Sequence, residues 1–254
     1  MPMASDSTNT KQPASCSLNK ANAEGRVAPE LLMAANRGDW RRLDDLMSYE
    51  GAPIPQVTID IDINIKEAEQ YELDSVLHAV ASGGDGEEFL MSSTVICRKA
   101  KHLLRRCNVM GDTAFHCAAR AGSIKMIKHL MDLARREDEE DDPTRLQEAL
   151  REQNKQGETV LHEAVRWADK EMIGVLMSAD AELACIPRTN GASPLYLAIL
   201  LGHDDIAEQL YEKNNQLSYS GPGGQNALHA AVVRSESKYE LHEYILLVCS
   251  NYLA

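Results

Sequence analysis

The sequence has few aromatic residues. It contains two Phe and two Trp, and Phe, Tyr and Trp together make up 5% of the 254 residues. A β-sandwich depends on aromatic and β-branched side chains, so this shortage argues against that class of fold. The core must instead be built from Leu, Ala, Ile, Val and Met, which suits closely packed helices.

The sequence also lacks paired cysteines and long apolar runs. No CxxC pair occurs, and residues 1–25 contain no apolar stretch of the kind found in a secretory signal peptide. We therefore expect reduced thiols in the cytosol. The longest late apolar run, "YILLVCSNYLA", is shorter than the roughly 20 residues that a bilayer requires, so we expect no membrane span in this chain.

Positive charge is scarce as well. Lys and Arg number 26 against 39 Asp and Glu, which gives a net charge of −13. Affinity for phosphates comes from clustered cations, so this balance argues against nucleic acid as a partner.

What the sequence does contain is an internal repeat. The fourth residue of each copy is usually His, and successive fourth residues lie 38, 46, 34 and 33 positions apart. A period near 33 with insertions in the first two intervals describes the chain. The copies are "SVLHAVASGG" from Ser75, "TAFHCAARAG" from Thr113, "TVLHEAVRWA" from Thr159, "SPLYLAILLG" from Ser193 and "NALHAAVVRS" from Asn226.

Each copy has the same local pattern. A glycine-containing turn comes first, and a Thr, Ser or Asn then caps a short helix rich in small residues. Gly122 and Gly202 are placed to end that helix in a left-handed conformation, and a second, amphipathic helix follows.

This turn-helix-helix pattern resembles the ankyrin family, whose signature T-P-L-H-x-A is matched at "SPLYLA", "TAFHCA" and "TVLHEA". The resemblance implies an all-α solenoid of about six helix pairs with extended turn arms, in which neighbouring pairs bury a continuous core. We predict this domain over residues 26–237, with a degenerate first copy at 31–47. A disordered tail at 1–25 and a degenerate cap helix at 238–254 flank it.

The stretch from Val80 to Gly122 is similar to plant ankyrin proteins of the accelerated-cell-death type. Those proteins continue into a membrane domain that a Pro-Gly-Gly motif introduces, whereas Pro222–Gly224 here precedes another repeat copy. The resemblance implies stress or defence signalling in a plant, in the cytoplasm at the inner face of the plasma membrane. The alternative is a soluble fragment or splice form of a membrane-anchored ankyrin protein.

The adjacent His116 and Cys117, with Asp112 nearby, could be interpreted as a thiol nucleophile and its base. However, His recurs at this position in four of the five copies, and adjacent helical residues do not face each other. We therefore predict no enzyme. We expect eight structural positions that join turn and helix: His78, Thr113, His116, Thr159, His162, Ser193, Tyr196 and His229.

Two metal sites are also possible by composition, but neither matches a known spacing. The set Cys97, His102, Cys107 and His116 fits none of the common zinc patterns. The segment from Val57 to Glu72 has alternating Asp and Asn residues, but Ile65 and Tyr71 stand where a calcium loop needs Gly and Glu. We expect the segment from Val57 to Glu72 to be a strand-like insertion. The separate stretch "GPGGQ" from Gly221 lacks the Gly-Lys-Ser/Thr of a phosphate loop, so we expect no nucleotide site there. We expect neither metal nor cofactor.

The acidic run at 137–142 has two interpretations, a solvated connection and a docking site for a basic partner.

The family resemblance places the variable positions of each first helix on a concave binding face. Trp167 and several leucines there are large and apolar, and arginines lie beside them. Either a protein partner binds this patch, or the acidic insertion or the C-terminal helix covers it. The predicted partner-binding residues are Arg120, Glu163, Arg166, Trp167, Leu197, Leu200, Leu201 and Arg234.

Overall fold

The computed structural model describes residues 29–48, 76–135 and 143–235. The described residues are helical apart from turns and one isolated bridge between Ser220 and Asn226. The α-helices are α1 (Pro29–Arg37), α2 (Trp40–Ser48), α3 (76–82), α4 (Glu87–Lys99), α5 (Ala114–Arg120), α6 (Ile124–Arg135), α7 (Pro143–Arg151), α8 (Val160–Arg166), α9 (Lys170–Ala179), α10 (Pro194–Leu201), α11 (Asp204–Lys213) and α12 (Ala227–Ser235). The predicted all-α class is confirmed.

The helices form two layers. Units 1 to 5 are the helix pairs α1–α2, α3–α4, α5–α6, α8–α9 and α10–α11, and α12 is the first helix of unit 6, of which the structure describes only this helix. The first helices pack in series, α5 on α8, α8 on α10 and α10 on α12. The second helices do the same from α2 through α4, α6 and α9 to α11, and the core lies where the two layers meet. Fully buried Phe115 and Leu161 of the first layer share that core with Ile127 and Ile173 of the second.

Four predictions fall outside the described residues. They are the tail at 1–25, the strand-like insertion at 57–72, the acidic run at 137–142 and the cap helix at 238–254.

The long interval between units 3 and 4 contains an additional helix. Its sequence, "TRLQEALREQN", is rich in strong helix formers, and α7 is a separate helix that packs on α6. It begins at Pro143, a residue suited to the first turn because the backbone N–H it lacks would have no partner there. Arg151 binds both carboxylate oxygens of Asp180 at 2.5 and 2.8 Å, which connects α7 to the end of unit 4.

The fourth position of each copy, which is His or Tyr, lies where one unit meets the next. The backbone N–H of Thr113 donates to His116 Nδ1 at 3.1 Å, so Nδ1 is an acceptor and the proton lies on Nε2. Nε2 then donates to the carbonyl of Glu158 in the following turn at 2.8 Å. His78 makes the same type of bond to the carbonyl of Asp112 at 2.7 Å.

His162 and Tyr196 vary this arrangement. The backbone N–H of Thr159 donates to His162 Nδ1 at 3.1 Å, as that of Thr113 does to His116. On the other side of the ring, His162 Nε2 faces the carbonyl of Ala192. The two groups do not form a hydrogen bond of ordinary geometry. Tyr196 is longer, and its hydroxyl reaches across to the side chain of Gln225 at 2.7 Å.

Burial keeps the bridging imidazoles neutral. It lowers the pKa of His78 and of His116, against the opposing effect of the carbonyls that accept from them. The pKa of His162 falls to about 3, because burial and the nearby Arg188 both disfavour the imidazolium.

We predict that acid destabilises the fold through these imidazoles. In the unfolded chain His162 takes up a proton near its ordinary pKa of 6.5, whereas in the fold it stays neutral until about pH 3. Between those values the unfolded state binds more protons, so the free energy of unfolding decreases as the pH falls. From about pH 7.5 to about pH 5, His162 alone should cost about 2 kcal/mol, measured by urea unfolding with circular dichroism.

The control compares two substitutions. His162→Gln should reduce the difference in unfolding free energy between the two pH values by about the same amount, roughly 2 kcal/mol. His229→Gln replaces an exposed imidazole and should leave the difference unchanged. An equal pH response in both variants would contradict this explanation.

We also predict that Gly122→Val destabilises the fold by about 1 kcal/mol or more. Gly122 has a φ of +67° at the end of α5, and no atom lies within 4 Å of the position a Cβ would take. The loss should therefore come from backbone strain alone. Ala121→Val is the matched control, because Ala121 is also exposed but has a φ of −77°. Equal midpoints of thermal unfolding for the two variants would show that the left-handed backbone does not matter.

Candidate partner-binding surface on the first helices

A cleft of about 320 Å³ opens between units 3 and 4 on the side of the first helices. It is bounded by the C-terminal ends of α5 and α8 and by the turns that precede these helices. Its lining residues are Met110, Asp112, Arg120, Asn154, Gln156, Glu158, Glu163, Arg166 and Trp167.

Within each of these two units an arginine holds a buried carboxylate. The carboxylate belongs to the residue immediately before the helix cap, which we call the pre-cap residue, and the arginine lies eight positions later. In unit 3, Arg120 Nη1 donates to Asp112 Oδ2 at 2.9 Å, and in unit 4, Arg166 Nη2 donates to Glu158 Oε1. Each pair fixes the turn against the end of its own first helix.

Further contacts join these pairs across units. Arg120 Nη2 donates to Glu163 Oε1 at 2.5 Å, and Arg166 Nε lies 3.6 Å from Glu163 Oε2. Arg188 of the next turn lies 3.0 Å from Glu158. The result is a continuous series of alternating charges from unit 3 to unit 5.

Hydrogen bonds favour the ionised form of the buried Asp112 carboxylate. Burial alone would raise the pKa of Asp112, but hydrogen bonds from Arg120 and Asn154 lower it below its ordinary value. The hydrogen bond to Asp112 in turn raises the pKa of Arg120. The Asn154 amide donates to Asp112 Oδ1 at 2.8 Å, so both oxygens of this buried carboxylate are bound.

In unit 5 the arginine and the carboxylate are both replaced by apolar residues. Ala192 is the pre-cap residue, and Leu200 takes the place of the arginine. Leu200 therefore does not pair with the turn as the arginines do, and it is 44% exposed. It forms part of an apolar ridge that crosses units 4 to 6 and contains Trp167 at 60%, Leu200 and Leu201 at 44% each and Val233 at 61% exposure.

The structure corrects the expected exposure of two predicted binding residues. Leu197 is only 5% exposed and Glu163 only 3%, and Cys117 at the corresponding position of unit 3 is also buried. All three follow directly after the bridging His or Tyr, where the first helices of neighbouring units pack closely; Cys117, for example, interacts with Ser82 of unit 2. Glu163 lines the cleft through its carboxylate, whereas Leu197 belongs to the core.

The other predicted residues lie nearer the surface. Arg120, Arg166, Trp167, Leu200 and Leu201 are exposed. Arg234 is half-buried and pairs with Asp204 at the start of α11.

Sequence reasoning missed Asp112 and Glu158 as the floor of the cleft. A signal was present: an acidic pre-cap residue accompanies an arginine eight positions later in units 3 and 4, and Ala192 accompanies Leu200 in unit 5. Paired changes of this kind within one chain indicate side-chain contact.

The thiol-nucleophile interpretation finds no support in the geometry. Burial raises the pKa of Cys117 to about 11. Both ring nitrogens of His116 are engaged, one with Thr113 and the other with the carbonyl of Glu158, so neither is placed to take a proton from the thiol.

The described residues contain no group of three or more His, Cys, Asp or Glu side chains arranged to hold a metal ion. The candidate zinc set of Cys97, His102, Cys107 and His116 therefore does not come together. Among the helices at 29–48, 76–135 and 143–235, none is both long and apolar enough to cross a membrane.

Comparisons with known proteins agree with this architecture. A curated ankyrin repeat-containing protein of Arabidopsis thaliana is 31% identical over 110 residues, which is 43% of this chain and 20% of that protein. The chain therefore matches about a fifth of the length of this relative. Among solved structures, the ankyrin repeat domain of Bcl-3, a member of the IkappaB family, superposes with a TM-score of 0.58. That match has 20% identity and covers 83% of this chain and 82% of the other.

The family model for ankyrin repeats in three copies matches residues 91–186 and 140–220, which together make up 130 of the 254 residues. The matched residues include the cleft, α7 and most of the apolar ridge. The chain belongs to the ankyrin-repeat family, whose stacked helix pairs serve as a scaffold for protein–protein interaction.

Proposed function

We propose that this chain binds a protein partner through the first-helix side of units 3 to 6, the face that the family resemblance identifies as concave. The apolar ridge of Trp167, Leu200, Leu201 and Val233 is the main contact surface, and the cleft beside it supplies polar contacts. The setting is stress or defence signalling in a plant, as the resemblance to accelerated-cell-death-type proteins implies.

The ridge is the observation that carries this proposal. Large apolar side chains are 44–61% exposed in three successive units, and each is fixed to a helix end. Large apolar side chains exposed at equivalent positions of neighbouring helices are typical of a protein-interaction site. Tryptophan and arginine are the residues most enriched among the energetically dominant contacts of interfaces, and both occur here.

The ion-pair network supports the same proposal. Arg120 and Arg166 tie turns and helix ends together, so the backbone that carries Trp167 is held in place before any partner binds. A surface ordered in advance loses less conformational entropy on association.

One observation favours a second candidate. The Arabidopsis relative is far longer than the matched segment, which covers 20% of it. The second candidate is that this chain is the soluble part of a longer, membrane-anchored ankyrin protein; the anchor is what the resemblance to accelerated-cell-death-type proteins implies. Sequencing the transcript beyond the codon for Ala254 tests this, because an in-frame apolar segment of about 20 residues is required.

We further propose that Cys117 performs no chemistry. Its pKa of about 11 against an ordinary value of 9.0 lowers the thiolate fraction about 100-fold, and its side chain is buried. Iodoacetamide should therefore alkylate Cys117 at least about tenfold more slowly than half-buried Cys107, as followed by mass spectrometry of the native protein. Equal or faster modification of Cys117 would revive the thiol-enzyme hypothesis.

We predict that Trp167→Ala combined with Leu200→Arg weakens partner binding at least about 100-fold, because it removes an anchor and buries an unpaired charge. Binders would be selected from a displayed library of plant protein fragments, and their affinities measured by biolayer interferometry. Both side chains are exposed, so helical circular dichroism should not change.

Met91→Arg is the matched control, because Met91 is 43% exposed but lies on α4 in the second layer. This substitution should leave affinity unchanged. Binders that lose affinity with Met91→Arg, and keep it with the double variant, would place the interaction on the opposite side and refute the proposal.

A further inference from the structure

We propose that the partner places a carboxylate, from Asp or Glu, on the exposed guanidinium groups of Arg120 and Arg166, while neighbouring apolar residues of the same segment lie on the ridge. The proposal rests on the proposed function and adds the chemistry of the partner: a segment that is both acidic and apolar.

The charge that a partner can reach in the cleft is positive. The side chains of Arg120 and Arg166 are 44% and 38% exposed. The side chains of the carboxylates that they bind are almost fully buried, with 2% exposure for Asp112, 2% for Glu158 and 4% for Glu163. The negative ends of these ion pairs therefore lie beneath the surface, and an approaching partner meets the guanidinium groups first.

One carboxylate already spans the two arginines from the buried side. Arg120 Nη2 donates to Glu163 Oε1 at 2.5 Å, and Arg166 Nε lies 3.6 Å from Glu163 Oε2. The two guanidinium groups are therefore close enough for a single carboxylate to contact both. A second carboxylate, from the partner, can do the same from the open side of the cleft through charge-assisted hydrogen bonds.

Both arginines keep N–H groups for this contact. A guanidinium group has five N–H donors. Arg120 uses one on each terminal nitrogen, for Asp112 and Glu163, and Arg166 donates through Nη2 to Glu158. Among the described residues no acceptor binds Arg166 Nη1, so the two N–H groups of that nitrogen are available to a partner.

The ion pairs of the cleft balance, and one more cation lies at its rim. The three carboxylates are matched by three arginines, Arg120, Arg166 and Arg188. Lys155 is exposed and lies between Asn154 and Gln156, which both line the cleft. Its ammonium group adds a positive charge that no carboxylate of the cleft offsets.

The folded residues around the cleft do not repel an acidic segment at long range. The described residues contain 20 Lys and Arg against 21 Asp and Glu, so nearly all of the net charge of −13 belongs to the rest of the sequence. Residues 76–135, which include Arg120, contain nine Lys and Arg against five Asp and Glu. This excess attracts an acidic segment towards unit 3.

The cleft also connects this charge to the apolar ridge. Met110 and Trp167 are 53% and 60% exposed, and both line the cleft. Because Trp167 also belongs to the ridge, a segment whose carboxylate reaches the arginines has its neighbouring residues beside the ridge. The volume of about 320 Å³ is at the small end for ligand sites, which fits a single side chain.

A basic side chain fits less well. It would approach two exposed guanidinium groups of the same charge, and like charges repel. The carboxylates beneath them are buried and already paired with arginines.

The experiment uses a displayed library of random 12-residue peptides, selected on the full chain. Synthetic versions of the selected peptides would carry each Asp or Glu, or Asn or Gln in its place. Affinities would be measured by fluorescence polarisation at low and high salt. The protein variants are Arg166→Gln, Lys128→Gln and Trp167→Ala combined with Leu200→Ala, which shortens the ridge side chains without adding charge.

The first two variants form a matched pair. Arg166→Gln leaves a guanidinium group on each buried carboxylate, because Glu158 keeps Arg188 and Glu163 keeps Arg120. Lys128→Gln removes the same charge from a half-exposed side chain of α6, in the second layer.

We expect selected peptides to carry an Asp or Glu close to large apolar residues. Replacing that residue with Asn or Gln should weaken binding to the natural chain at least about tenfold, since hydrogen bonds to charged groups contribute this much. The same replacement should matter less than about threefold in Arg166→Gln, because one of its two partners is gone, and still about tenfold in Lys128→Gln. Binding should also weaken with salt.

Peptides that depend on Trp167 and Leu200 but show no preference for a carboxylate, or prefer a basic residue, would overturn this inference and leave the proposed function standing. Peptides that bind the variant with both ridge substitutions as well as the natural chain would overturn both. If Arg166→Gln does not fold, the exchange of the peptide carboxylate for an amide and the salt dependence on the natural chain still decide the question.

Discussion

The bond between an imidazole and the carbonyl of the next pre-cap residue is the contact on which both the fold and the surface depend. His78 binds the carbonyl of Asp112, and His116 binds that of Glu158. The side chains of these same two residues are held by Arg120 and Arg166. Asp112 and Glu158 are therefore each bound twice. The backbone carbonyl of each accepts a hydrogen bond from the preceding unit, and its carboxylate binds the arginine at the end of its own first helix. This double attachment determines where the floor of the cleft lies.

The ion pairs at the cleft position groups more than they stabilise the fold. Removing charges from water opposes the gain from pairing, so a half-buried network of this kind adds little net stability. Unit 5 illustrates this, because Ala192 and Leu200 replace the charged pair and the helices still stack. What the charges change is the surface. Units 3 and 4 present a polar cleft, and unit 5 presents exposed leucine on the same framework.

The sequence predicted the features that depend on local chemistry. The phase of the repeat, the helix caps and the left-handed helix ends follow from the preferences of Thr, Ser and Gly at fixed positions. It predicted less well what depends on contact between units. Leu197 and Glu163 occupy variable positions of the pattern, but the close approach of α5, α8 and α10 buries them. The role of Asp112 depends on Arg120, eight residues away, which no single-helix pattern relates to it.

One departure from the repeat coincides with the proposed anchor. The position after Trp167 corresponds to Gly122 and Gly202, yet it holds Ala168, with a φ of +52°. A left-handed alanine costs about 1–2 kcal/mol relative to an ordinary conformation. The methyl group of Ala168 packs on the core, which offsets part of that cost. Alanine also restricts the backbone more than glycine would, and the restriction falls on the residue beside Trp167. The strained residue therefore lies beside the tryptophan that we propose as the main anchor, and strained residues in proteins commonly cluster at functional sites.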